Sequence, residues 1–366
     1  MKIKNCHQLW EKKCNDSENT GHKEYDLIVK EYQKPSFDPE KDKDKVLVRV
    51  KAAAVNPIDC KALVSFKPVA DFPRFGRDFA GTVVNIGNSV TDIKVGDEVW
   101  GTSAPSMAEY CICPVGNMSK KPVNLSMEEA AGIGVVYVTG YDALFAGSVK
   151  ERPPVNEDSK VLIIGASGGT GIPGCQLAKH CGNAKLVVGV CSGKNEALVK
   201  EAGADCILDY TKVDFKTLTD APKEEVLAEV KKHLPSGQSV DFDGFDIVYD
   251  CVSSPEDYNY RPISQKFLRA NGHYVCINSA SWFFWARALL AAMIPWLSRV
   301  LLPGNEDLFA ANINRKKADQ LSQWFSEGKL KMNIFETFDF NSENLNSIYD
   351  AQMSRRASGK VVVTGI

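Results

Sequence analysis

Apolar and polar positions alternate along the first third of the chain. Val46–Ala54 (VLVRVKAAA) reads as a half-buried strand that Pro57 ends. Gly81–Gly87 (GTVVNIG) and Val95–Gly101 (VGDEVWG) read as short strands set off by glycine turns, and Met107–Pro114 as another. Many short strands predict a compact barrel for residues 1–134. Asn15–His22 and the charge run Lys41–Lys45 read as solvated loops. At Ser126 the pattern changes. Ser126 with Glu129 three residues on predicts a capping box and a helix rich in alanine and glycine. From Lys160 strand and helix periods alternate: strand Val161–Gly165, helix Gly171–Cys181, strand Leu186–Cys191, helix Lys194–Ala202, with strands at Asp246–Cys251 and His273–Ile277. That alternation predicts βαβ units on a parallel sheet, hence an α/β fold. The closing run Gly359–Ile366 is β-like again.

The most informative segment joins the first of these strands to its helix. It holds Gly165, Ala166, Ser167, Gly168, Gly169, Thr170 and Gly171, a G-x-x-G-x-x-G spacing. Glycines there admit positive φ and let the backbone approach a pyrophosphate, while the helix start offers unpaired N–H groups. The alternative is a tight βα turn that holds no ligand. An NAD site places an acid at the tip of the second strand. Here Leu186–Cys191 ends in Ser192, Gly193 and Lys194, with no acid at its tip. A hydroxyl and an ammonium attract a 2′-phosphate that a carboxylate would repel, so the cofactor reads as NADPH. Lys194 also fits a solvated first-turn lysine. Tyr210, after the Cys206–Leu208 strand, lies against the adenosine phosphate end or merely caps the sheet.

Composition narrows the class. The 366 residues are 44% apolar and 25% charged, with net charge −2, as in an ordinary soluble globular protein that needs no nucleic acid. Eleven cysteines follow no framework and Met1–Trp10 has no apolar signal region, which favours a reducing intracellular compartment, the cytoplasm first. Cys111 and Cys113 read as two small residues on opposite faces of a strand. Trp282–Leu302 is about long enough to span a bilayer, but Arg287, Pro295 and Arg299 interrupt it. A buried or interfacial helix broken near Pro295 is the reading; docking on a membrane or lipid surface, a mitochondrial location and a homodimer through this stretch stay open.

The run Val50–Lys61, the segments Gly76–Val83 and Val95–Val99, the cofactor run Gly165–Lys179 and the ending Gly359–Val363 resemble the medium-chain dehydrogenase/reductase superfamily. The resemblance is to its zinc-independent quinone oxidoreductase and enone reductase branch, which includes reticulon-interacting mitochondrial proteins and fungal quinone oxidoreductase homologues. It implies a GroES-like catalytic domain (1–134), a Rossmann NADP-binding domain (135–312) and a return to the catalytic domain (313–366). It implies NADPH-dependent hydride transfer to a quinone or an α,β-unsaturated carbonyl. The alternative is an NADPH-binding interaction or lipid-associated protein with little turnover.

Zinc members of the superfamily place a His-Glu pair where this chain has Arg77 and Asp78, and no C-x-x-C occurs, so no metal is expected. Hydride addition leaves an enolate or phenolate oxygen, which a donor or cation stabilises. The resemblance puts Asn56, Asp59 and Lys61 at the cleft: Asn56 as donor to substrate or nicotinamide carboxamide, Asp59 as loop organiser, Lys61 as the oxyanion's ammonium. A turn at Asn56 and a solvated Lys61 are the plainer readings. Related reductases carry a tyrosine several residues later; Val64–Phe72 has none, which suits quinones. Thr139 is implied beside the nicotinamide, as are Asn278 and Ser279 beyond a later strand. Lys360, with Arg355 and Arg356, is expected to reach cofactor phosphates, or else to form a solvated basic loop.

Overall fold

The computed structural model describes residues 2–9, 26–65, 75–146, 153–236, 242–254, 257–277, 306–308 and 312–366. They fall into two units, one of Met1–Val135, Ile313–Ser326 and Met332–Ile366, the other of Val136–Asn312 and Glu327–Lys331.

In the first unit, β1 (Lys2–Leu9) and β2 (Asp26–Gln33) form an antiparallel pair. The predicted first strand is β3 (Lys45–Val55), with Val46, Val48 and Val50 buried and Arg49 and Lys51 exposed, the period-two pattern that orients it. Pro57 ends the strand as expected but also opens a helix, α1 (Pro57–Ser65). Proline suits a first helical position, where an N–H would have no intrahelical partner. Strands β4 (Asp78–Ile86), β5 (Glu98–Thr102), β6 (Tyr110–Pro114) and β7 (Met118–Lys120) follow. Val95–Asp97 precede β5 instead of joining it, because the Asp97 N–H closes a turn onto the Lys94 carbonyl at 3.1 Å. Cys111 and Cys113 share one face of β6 and both are buried. The opposite-face expectation fails because residues two apart on a strand point the same way. The capping box forms at α2 (Met127–Ala131): Ser126 Oγ accepts the Glu129 N–H, and Glu129 accepts the Ser126 N–H. Helix α3 (Gly134–Tyr141) carries the chain across the division between units and continues into a π-helical turn, Asp142–Ala146.

The second unit alternates as predicted: β8 (Lys160–Ile164), α4 (Gly171–Gln176) with a π-helical turn to Cys181, β9 (Leu186–Cys191), α5 (Glu196–Glu201) and β10 (Cys206–Asp209). Then come α6 (Phe215–Asp220), α7 (Lys223–Lys231), β11 (Phe245–Asp250), α8 (Arg261–Phe267), β12 (Leu268–Cys276) and β13 (Glu306–Leu308). The six strands are parallel, in the order β10-β9-β8-β11-β12-β13. Strands β8 and β9 are buried along nearly their whole length, as befits a sheet with helices on both faces. The chain steps outward from β8 to β10, then returns to place β11 on the other side of β8. The reversal creates a switch point at the carboxyl ends of β8 and β11, where open α/β sheets bind ligands.

The chain re-enters the first unit through α9 (Arg315–Ser326), whose buried Ala318, Leu321 and Phe325 form one face. Trp100 Nε1 donates to Ser322 Oγ at 2.7 Å, tying that helix to β5. Then β14 (Ile334–Asp339), α10 (Leu345–Met353) and β15 (Lys360–Thr364) complete a seven-stranded sheet, β14-β15-β3-β4-β5-β7, with β6 pairing the Lys45–Arg49 end of β3. Residue Val362 of β15 pairs with Ala54 of β3, so chain ends more than three hundred residues apart share a register. Among the described residues no helix is long and apolar enough to cross a membrane. Trp282–Leu302, Asn278, Ser279, Asn15–His22, Phe66 and Phe72 lie outside the described residues.

Candidate functional site

In the second unit the glycine turn closes on itself. Gly165 has φ +77°, a left-handed conformation that glycine adopts without strain. Its carbonyl accepts the Gly168 N–H at 3.0 Å, and a Cβ on Gly171 would stand 2.1 Å from that same oxygen. The N–H groups of Gly165 and Ala166 both donate to the Val190 carbonyl of β9 at 3.0 Å, which moors the turn to the neighbouring strand. Ala166 is buried; Ser167, Gly168, Gly169 and Thr170 are half-buried. Ser167 Oγ accepts from Asn195 Nδ2 at 3.0 Å.

Beyond the turn, Val252 approaches from the tip of β11: a Cβ on Gly165 would meet its Cγ2 at 2.6 Å. Asp250 organises that approach. Its Oδ1 accepts the N–H groups of Val252 and Ser253 at 2.9 and 3.0 Å, and its Oδ2 accepts Ser253 Oγ and Tyr274 Oη at 2.5 and 2.7 Å. Burial, reinforced by Asp250, raises the Tyr274 phenol far above its usual range, so it stays a donor.

At the tip of β9, Ser192 is buried and its Oγ has no hydrogen-bond partner among the described residues. Buried hydroxyls are rarely left so, and an unpaired one marks a place for a ligand or water. Lys194 beside it is exposed. Asp209, which pairs in register with Cys191, stands next to this tip. The Thr211 hydroxyl, at 2.7 Å, holds its carboxyl below the usual range, and it also accepts the Thr211 and Gly193 N–H groups. The sequence reading of an acid-free tip considered β9 alone. The acid arrives on the adjacent strand and is committed to shaping the turn. Tyr210 is half-exposed and lines a cavity of about 380 Å³ with Lys212, Lys216, Phe215, Tyr258 and Tyr260. Thr139 is buried on α3.

In the first unit a charged cluster is sealed inside the sheet. Asp78, at the start of β4, accepts Thr102 Oγ1 (3.2 Å) and the Val135 N–H (2.9 Å) on Oδ1, and Asn56 Nδ2 (2.9 Å) and Lys360 Nζ (3.4 Å) on Oδ2. Lys360 Nζ donates also to Asn56 Oδ1 (2.7 Å) and the Val55 carbonyl (3.1 Å). Burial depresses its pKa, against the pull of Asp78 and Asp59. Asp59 Oδ2 accepts the Asn56 N–H at 2.9 Å and Asn56 Nδ2 at 3.2 Å, so Asp59 caps the helix that bears it. Its Oδ1 is buried without a hydrogen bond and faces Arg77 Nε at 3.5 Å. Burial, with the nearby Asp78 charge, raises the Asp59 pKa to about 7.

These contacts correct two expectations. Lys360 does not reach outward for a phosphate: its ammonium is spent inside the first unit, on Asn56, Asp78 and a carbonyl. Asn56 is not available as a donor to substrate, since both ends of its amide serve the cluster. Asp59 orients the backbone at the start of a helix, where a loop was expected. Lys61 is exposed on α1. Sequence reading missed Asp78, Arg77, Asp209 and Asp250 as organisers, because their partners come from other strands. The start of α1 did have a signal, an N-capping asparagine followed by proline and an acid three residues on.

A zinc ion does not suit the cluster. The carboxylates of Asp59 and Asp78 face an ammonium, an amide and a guanidinium, and burial keeps the adjacent Cys60 a thiol. Among the described residues no three His, Cys, Asp or Glu side chains gather as metal ligands.

One unit with a glycine turn at the switch point of a parallel sheet, and another with a mostly antiparallel sheet, define a two-domain dehydrogenase fold. Residues 42–162 match the alcohol dehydrogenase GroES-like domain and residues 202–363 the zinc-binding dehydrogenase domain. The trans-enoyl reductase pgmF of Aspergillus terreus is 30% identical over 341 residues, covering 87% of this chain and 86% of that protein. The chloroplastic NADPH-dependent alkenal/one oxidoreductase of Arabidopsis thaliana is 26% identical over 338 residues, covering 89% and 73%. The quinone oxidoreductase of Coxiella burnetii has the same fold, with TM-score 0.71, 22% identity and both chains fully covered. The chain belongs to the medium-chain dehydrogenase/reductase superfamily.

Proposed function

We propose that the protein is an oxidoreductase that uses NADPH to reduce an α,β-unsaturated carbonyl compound or a quinone. The observation that carries the reading is the buried, unpartnered Ser192 hydroxyl at the tip of β9, next to the Lys194 ammonium and one strand from the glycine turn. The names of the relatives, an alkenal/one oxidoreductase and an enoyl reductase among them, agree with it.

A dinucleotide suits the residues at the switch point. The backbone of Gly165 to Gly171 would receive the pyrophosphate, in a turn so tight that a side chain on Gly171 would collide with the Gly165 carbonyl. Ser192 and Lys194 would hold the 2′-phosphate, with Tyr210 near the adenosine end. Asp209 would shape their turn through the Gly193 N–H without competing, because its oxygens are occupied. When bound, the nicotinamide supplies hydride. The first unit contributes a rigid frame, in which Asn56, Asp78 and Lys360 brace the start of α1 that carries Lys61. The chain needs no zinc for this, and solvent supplies the proton.

The test is NADPH oxidation followed spectrophotometrically against quinones, alkenals and enones, with NADH alongside. Turnover with at least one acceptor is expected, with NADPH preferred. Lys194→Ala should raise the KM for NADPH about tenfold and leave that for NADH unchanged, since a charge-assisted hydrogen bond contributes roughly 1.5–3 kcal/mol. NADPH binding without oxidation of any acceptor would point instead to a nucleotide-binding interaction protein.

A further inference from the structure

The second unit holds a cavity that the cofactor reading leaves unfilled. It is the space of about 380 Å³ that Tyr210 lines, within the roughly 300–1,000 Å³ usual for a small-molecule site. Neither the glycine turn nor Ser192 nor Lys194 lines it. Its walls come from the segment that follows β10 and the segment that leads into α8, both within one unit.

The walls are aromatic. Tyr260 meets Phe215 edge-on with ring centroids 5.6 Å apart, and meets Tyr258 edge-on at 4.6 Å. Tyr258 is held at its far end, where its hydroxyl donates to the Phe215 carbonyl at 3.0 Å and pairs with Thr219 Oγ1 at 2.6 Å. Tyr210 adds a half-exposed ring. Rings held at fixed tilts take up a planar aromatic guest by stacking and edge contact.

The polar groups favour a negative charge. Tyr260 is only 8% exposed, yet its hydroxyl has no hydrogen-bond partner among the described residues. Burial, with Asp250 and the Tyr258 and Tyr210 phenols nearby, raises its pKa, so it stays a donor. A buried donor left unpaired marks a place for an acceptor. Lys216 is exposed, and its ammonium has no partner among the described residues. Lys212 faces Asp209 only loosely, at 3.6 Å. The one acid in the lining, Asp214, is committed to α6: its Oδ1 accepts the Lys216 and Thr217 N–H groups and its Oδ2 accepts Thr217 Oγ1. Asp250 and Asp257, which also lie near Tyr260, do not line the cavity. Two ammonium groups against one occupied carboxylate attract an anion.

We propose that this cavity is a binding site for a planar aromatic carboxylate. The ring packs among Tyr210, Phe215, Tyr258 and Tyr260, and the carboxylate accepts the Tyr260 hydroxyl and faces the Lys212 and Lys216 ammonium groups. The site is separate from that of the dinucleotide and does not depend on the reductase reading. The two are neighbours through Tyr210, whose N–H donates to the Cys191 carbonyl of β9 at 3.2 Å.

Calorimetric titration of the full chain with naphthoate tests the proposal, without nucleotide and at saturating NADPH. Naphthol, which keeps the rings without the charge, and cyclohexanecarboxylate, which keeps the charge without an aromatic ring, run alongside. Naphthoate should bind once per chain and about tenfold tighter than either control, with its affinity changed less than about twofold by NADPH. Tyr260→Phe, which removes only the unpaired hydroxyl, and Lys216→Gln should each weaken it roughly three- to tenfold, with melting temperatures unchanged. Absence of naphthoate binding to folded wild type, controls that bind as tightly, or unchanged affinity in both folded variants refutes the site. Naphthoate binding abolished by NADPH assigns the cavity to the nucleotide and refutes a separate site. Naphthoate binding by a chain that fails to bind NADPH sustains the site while the cofactor reading falls alone.

Discussion

A buried carboxyl with one satisfied and one unsatisfied oxygen makes Asp59 a sensor of protonation. Its pKa is near 7 in the fold and near 3.8 when the chain is unfolded. Between those values the folded state holds the proton more tightly. Stability therefore falls as pH rises from about 4 to 7, by a few kcal/mol at most. In urea unfolding at pH 5 and pH 8, wild type should lose stability relative to Asp59→Asn on going to the higher pH. At the glycine turn the constraint is steric. Gly165→Ala places a Cβ at φ +77° and against Val252, so it should cost about 1–3 kcal/mol and abolish dinucleotide binding, read by melting and by NADPH fluorescence. The glycines were legible in the sequence because their spacing is itself the geometric requirement. Lys360 was not, because a lysine in a terminal strand looks the same whether it faces water or Asp78.

Among the elements, those with local rules formed as expected. The Ser126 capping box uses residues three apart, and both of its hydrogen bonds are present. Ser126→Ala should lower stability by about 1 kcal/mol, seen as a small drop in melting temperature without loss of turnover. Strand β9 spans the predicted residues because Leu186–Cys191 is a short apolar run between polar ones. At α1 a turn at Asn56 was the alternative, because asparagine and proline favour turns as well as helix starts; Asp59 capping and the lodging of Asn56 between Asp78 and Lys360 accompany the helix. The cysteines of β6 show the opposite failing, where period two applied directly and was misapplied.

For the whole molecule, residues 202–363 match a zinc-binding dehydrogenase family, yet the carboxylates of the charged cluster, Asp59 and Asp78 in the GroES-like match, face an ammonium and a guanidinium. Dialysis against a strong chelator should therefore change neither the melting temperature nor NADPH oxidation, and metal analysis should find substoichiometric zinc. An activity lost to the chelator and restored by zinc would reverse that assignment. The α/β order, the strand that precedes the glycine turn and the polar tip of β9 follow from the sequence by itself, because periodicity, turn chemistry and backbone reach act between near neighbours. Which charges meet was decided by the tertiary structure. Strand β15 pairs with β3 and β10 with β9, bringing Lys360 to Asp78 and Asp209 to Gly193. A side chain's partner across a sheet depends on register between distant segments, and no local pattern encodes that.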